Sequence, residues 1–87
     1  MKFLTIWHWS NENTREVAKR YMEWKDQGNY KVLYPDSTMV GRNKAFNITE
    51  ADDLAEVQKD LSKWTDLCTF EIIPIMDSRE AVAVSRG

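Results

Sequence analysis

The chain has almost no means of stapling itself. Of its 87 residues, one is cysteine and one is histidine, so no disulfide can close within it and no zinc-type ligand set is present. No metal and no cofactor are expected: phosphate loop, dinucleotide fingerprint and nucleophile elbow are all missing. Proline and glycine number only two and three, and no linker, internal repeat or low-complexity stretch divides the chain. No run approaches the roughly 20 apolar residues of a membrane span. Residues 1–9 are too short and too aromatic for the h-region of a secretory signal. A dominant charge is lacking too. The net charge is −2, with Lys and Arg scattered, which argues against nucleic acid and an anionic membrane surface as partners. The lone thiol and the absence of an export signal fit a reducing cytoplasm.

These absences constrain how the domain is stabilised. A chain of this length buries only about 60% of the surface its unfolded form exposes. Domains this small usually add disulfides, a metal or a second subunit. With the first two excluded, a second copy of the chain is the expected partner.

What is present reads as one domain over 1–87 with alternating elements. Residues 2–9 (KFLTIWHW) are aromatic and branched, as in a strand. A helix follows over 13–27, with Asn13 and Glu16 spaced as a capping box and Gly28 as its stop. Strands are expected over 30–40 and 44–49, joined by a turn at Gly41, Arg42 and Asn43. Pro35 restricts the first of these to a sheet edge or a bulge. A second helix over 51–64 carries the stripe Leu54, Val57, Leu61 and Trp64, with acidic residues at its start and Lys59 and Lys63 towards its end. A strand over 67–76 and a short helix over 78–84, capped by Asp77, complete the chain. The order β-α-β-β-α-β predicts a ferredoxin-like α+β fold: a four-stranded antiparallel sheet with two helices on one face.

Period-two alternation sorts the strand residues into two faces. Phe3, Trp7, Trp9, Phe46, Ile48, Phe70, Ile72 and Met76 form the bulky set, with Thr5 the exception, and are assigned to the helix side. Leu4, Ile6, His8, Ala45, Asn47, Thr49, Glu71, Ile73 and Ile75 form the other. That second face is too apolar to stay wet, yet it includes His8, Asn47 and Glu71. A partly polar cavity between two sheets accommodates both features.

The candidate chemistry follows from that face. The first and last strands are expected to be antiparallel neighbours, bringing His8 near Glu71, and a carboxylate beside an imidazole raises its basicity. The plainer alternative is a strand-end histidine and an interface charge. Asn47, Trp9 and Ser37 are the candidate ligand-binding residues, Ser37 lying on the polar stretch after Pro35. The four tryptophans read either as a pocket for a flat ligand or as core and rim packing. Cys68 reads as a small buried residue at a strand start rather than a nucleophile.

Three segments together resemble a family of small bacterial domains of unknown function: the run IWHW, the helix start Glu50, Ala51, Asp52 and Asp53, and the closing WTDLCTFEIIPIMD. That family is placed in the dimeric α/β-barrel, ferredoxin-like superfamily, and the resemblance spans nearly the whole chain. It implies a homodimer whose two sheets face one another. The superfamily includes cofactor-independent monooxygenases, haem-degrading enzymes, isomerases and ligand-sensing modules, so it selects no single activity. Relatives carry a histidine in the middle of the second strand, where this chain has Tyr34, Pro35, Asp36, Ser37 and Thr38. Two functions stay open. One is a homodimer that binds a small aromatic or enolisable molecule in the barrel, with oxygenase or isomerase-like chemistry. The other is a non-catalytic regulatory or interaction module whose sheet face only seals the dimer.

Overall fold

Two prolines mark the edges of the sheet. Proline cannot donate a ladder hydrogen bond, so within a sheet it is confined to edges and bulges. In the computed structural model, which describes residues 1–86, the strand order is β2-β3-β1-β4. Here β1 is Lys2–Trp9, β2 Lys31–Thr38, β3 Lys44–Glu50 and β4 Cys68–Ile75. Pro35 lies in one outer strand and Pro74 in the other. The β2–β3 register also slips between Val32 and Tyr34 and again between Tyr34 and Ser37. The expected edge and the expected bulge therefore coincide at Pro35. All pairings are antiparallel, and with α1 (Thr14–Glu23) and α2 (Leu54–Leu61) the fold is ferredoxin-like α+β. Gly87, the last residue of the expected domain span, lies outside the described residues.

The helices are shorter than their sequence patterns, for local reasons. Asn13 has αR backbone angles and forms no capping bond; its side chain donates instead to the Leu67 carbonyl. A 3₁₀ turn over Asn11–Asn13 leads into α1 in place of the expected capping box. The helix ends at Glu23, five residues before Gly28, so Gly28 is not its stop. Gly28 answers a different demand: a Cβ there would lie 1.8 Å from the Glu56 carbonyl oxygen. Helix α2 starts one turn later than expected because Asp53 is its N-cap, accepting from the Ala55 N–H at 2.9 Å. The only left-handed residue among those described is Gly41, at φ 76° in the β2–β3 turn.

The register corrects the assignment of faces. Thr5 of β1 lies opposite Asn47 and Trp7 opposite Ala45, whereas Ile6 faces Phe46 and Leu4 faces Ile48. Opposed residues share a face. Ala45, Asn47 and Thr49 therefore point towards the helices, and Phe46 and Ile48 point away, the reverse of the sequence expectation. Space explains the choice. The helix side is filled by two clusters, Phe3, Ala51 and Val57 with Tyr30, Leu61 and Ile72, and Val17, Trp64 and Cys68 with the remaining tryptophans and Phe70. Rings of that size leave room only for small β3 residues, and Thr5 and Thr49 are each 1% exposed. Met76 falls beyond β4 and is exposed.

The last element, α3 (Ser78–Arg86), begins where Asp77 accepts from the Arg79 N–H, and it buries none of its residues. The molecule measures 49 × 28 × 18 Å with a radius of gyration of 14.5 Å, against about 12 Å for a compact chain of this length.

Gly28 and Gly41 make a stability test. Alanine at Gly28 meets backbone that cannot rotate away, so Gly28→Ala is expected to cost about 2 kcal/mol. Gly41→Ala, strained only by its positive φ, is expected to cost about 1 kcal/mol. Urea denaturation of both variants checks the order; equal losses would refute the close-approach explanation.

Candidate functional site

Neighbouring residues in a strand point to opposite faces, and this separates the candidate residues into two groups. His8 and Glu71 lie on the open face of the sheet, exposed. His8 is paired with Thr69 across the β1–β4 ladder, and Glu71 with Ile6. The Thr69 hydroxyl lies 2.6 Å from Nε2 and 3.0 Å from Nδ1 of His8. Glu71 is not among the hydrogen-bond partners of the imidazole. Trp9 and Asn47 belong to the helix side, whereas Ser37 is paired with Phe46 and shares the open face, bordering the cleft at the sheet edge. Asn47 is thus on the face opposite to that expected, and the structure brings no acid–base pair and ligand pocket together in one place.

The helix side contains the cavity. A cleft of about 330 Å³ opens between the sheet and helices α1 and α2, lined among others by Trp9 and Ser37. Trp7, Trp24, Trp64 and Phe70 supply its aromatic walls. The Trp24 and Trp64 rings meet edge to face at 5.4 Å, a geometry in which the positive edge of one ring meets the negative face of the other. The Trp9 Nε1 donor and the Asn47 Oδ1 acceptor are buried without a partner in the chain.

The polar side of the cleft is acidic. Asp26, Asp36 and Asp60 line it, and no lysine, arginine or histidine does. Asp60 is 5% exposed. It accepts from the Gln27 N–H at 2.9 Å, the Gly28 N–H at 3.3 Å and the Tyr30 hydroxyl at 2.7 Å. Asp36 accepts from the Tyr21 hydroxyl at 2.9 Å and from Asn47 Nδ2 at 2.8 Å. Asn47 thus touches the cleft through Asp36. Sequence reasoning missed Asp26, Asp60, Tyr21 and Tyr30 as site residues. Asp60 left one signal: it falls on the same helical face as Val57, Leu61 and Trp64, where a carboxylate has no reason to be unless it is bonded.

The environment moves several protons. Tyr30 is pushed well above its ordinary value by burial and by its bond to Asp60. Burial and the bond to Asp36 push Tyr21 up to about 12. Burial also raises the Cys68 thiol, which is 4% exposed; a thiol kept protonated is a poor nucleophile. At the outer end of α1, Arg20 grips Asp66 through two bonds of 2.8 and 2.9 Å and lies over the Trp64 ring at 5.4 Å.

The tyrosines give a pH dependence with a definite sign. Each holds its proton more tightly folded than unfolded, where its pKa is about 10. The stability they lend is therefore complete below about pH 10 and is lost as pH rises towards about 12 and beyond. In an alkaline titration, tyrosinate absorbance is expected to rise together with loss of the fold. The variant Asp60→Ala, which strands three donors, is expected to lose about 3 kcal/mol at neutral pH. A variant as stable as the parent would remove Asp60 from its structural role.

No curated protein and no solved structure matches the chain. A family model matches residues 1–87. The chain belongs to the family described as a domain of unknown function, DUF3303.

Proposed function

We infer that the chain is a homodimeric, small-molecule-binding domain: one sheet face seals two copies together, and the cleft on the other face takes the ligand. The observation that carries this reading is the unequal character of the two faces. The helix side has a cleft with aromatic walls and fixed polar groups, the usual make-up of a ligand pocket. The open side carries Leu4, Ile6, Phe46, Ile48, Ile73 and Ile75, with the Tyr34 ring stacked on Phe46 at 5.5 Å.

Moving Phe46 and Ile48 to the open face makes it more apolar than the sequence alone implied. Four strands about 26 Å long at a spacing of about 4.8 Å present roughly 500 Å², and a stable interface needs about 800 Å² per partner. Helix α3 supplies further apolar surface: it buries nothing in its own chain, and its Val84 is 72% exposed. A second copy packed face to face covers both surfaces and compensates for the small core. This is the dimeric-barrel arrangement, with the barrel interior acting as a seal. Binding is favoured over catalysis, because the His8 imidazole bonds to Thr69 and no hydrogen bond or ion pair joins it to Glu71.

Light scattering and native mass spectrometry are expected to return the mass of two chains. The variant Ile73→Glu places a charge on the seal at a side chain already 39% exposed, so the monomer should tolerate it. Because the substitution occurs in both copies, it is expected to raise the dissociation constant by roughly a hundredfold or more. A monomeric parent protein would refute the seal.

A further inference from the structure

The cleft described above has two properties that seldom occur together without a purpose. Its walls are aromatic faces, and its charged lining residues all have the same sign. Three carboxylates, Asp26, Asp36 and Asp60, face a space to which the chain contributes no cation. Burial and the neighbouring Asp60 and Asp36 raise Asp26 above its ordinary value, against the opposing effect of the Tyr30 hydroxyl. The missing component is a positive charge.

We propose that the cleft recognises an organic cation, a protonated amine or quaternary ammonium group carried on a flat apolar body. The body lies against Trp7, Trp24 and Phe70, and the charge lies between their negative faces and the carboxylates. This ligand class rests on the reading of the cleft as a binding site and narrows it.

Several observations select this class over others. The carboxylates do not converge on a point: among the described residues, no three His, Cys, Asp or Glu groups are placed to hold a metal ion. A diffuse charge on a larger body fits such spacing better than a bare ion does. An anionic ligand would meet three like charges at short range in a partly enclosed site. A neutral one would gain nothing from that negative lining. The aromatic walls add a term specific to cations, since ring faces attract positive charge and quaternary ammonium groups are bound this way. The chain already uses one of these rings so, with the Arg20 guanidinium over Trp64. The volume of about 330 Å³ is at the small end of ligand sites, which suits a compact amine. The buried Trp9 Nε1, unpartnered in the chain, adds one donor for an acceptor on the ligand body.

Two probes of the same shape separate charge from fit. Phenyltrimethylammonium and tert-butylbenzene have equal size and differ by one positive charge. Each is titrated into the ¹⁵N-labelled protein, with the tryptophan indole N–H signals as readout. The expected result is movement of the Trp7, Trp9, Trp24 and Trp64 signals, with the cation bound about tenfold or more tighter than its neutral isostere. Asp36→Asn is expected to weaken the cation several-fold and leave tert-butylbenzene unchanged. Asp26→Asn serves as the second variant if the first perturbs the spectrum beyond the cleft. Equal affinity for both probes, or tighter binding of 4-tert-butylbenzoate, would overturn the cation assignment while leaving the cleft a binding site. No movement of the indoles with any probe would overturn both.

Discussion

The buried carboxylate of Asp60 is the joint on which this small structure turns. A charge removed from water is tolerated only when it is well bonded, and Asp60 collects two backbone N–H groups and the Tyr30 hydroxyl. Those donors come from the connection between α1 and β2, so one side chain of α2 holds that connection in place. Tyr30 is thereby pressed against the Phe3, Ala51 and Val57 cluster. Gly28 is required beside it because the same connection passes directly over the Glu56 carbonyl. The carboxylate that holds the loop also forms part of the cleft wall, so stability and site share a residue.

The division of labour between the two sheet faces follows from the strand pleat. On one face, large rings from β1, β4 and the segments that follow α1 and α2 fill the volume and leave an acidic opening at the β2 side. On the other, aliphatic residues from three strands lie side by side with no helix above them. The open face and α3 have the same deficiency, apolar surface without a cover, and the proposed second copy would answer both.

The topology was legible because it depends on strong, redundant signals. Alternation in residues 2–9, the stripe from Leu54 to Trp64 and the position of Pro35 each support the same order of elements. Element ends were less legible. Asn13 and Glu16 have capping-box spacing, but the Asn13 side chain is drawn to Leu67, across the fold. The face of β3 was misjudged because Phe46 and Ile48 look like core residues and Ala45, Asn47 and Thr49 do not. The strand's own alternation permits either choice. The pairing with β1 and the packing of the tryptophans decide it.

The cleft was not foreseen as a site: the sequence reading placed the candidate cavity between two sheets. Of the residues singled out, Trp9 and Ser37 border this cleft and Asn47 touches it through Asp36, whereas His8 and Glu71 lie on the opposite face. No local pattern in the sequence brings Asp26, Asp36 and Asp60 together, since they come from a loop, an edge strand and a helix. By itself the sequence determined the order of the elements, the edge position of Pro35 and the absence of internal staples, because these depend on the chemistry of single residues and on short periodicities. Only the tertiary structure decided which way β3 faces and that three separated carboxylates share one aromatic cleft. Both depend on register and packing between segments far apart in the chain.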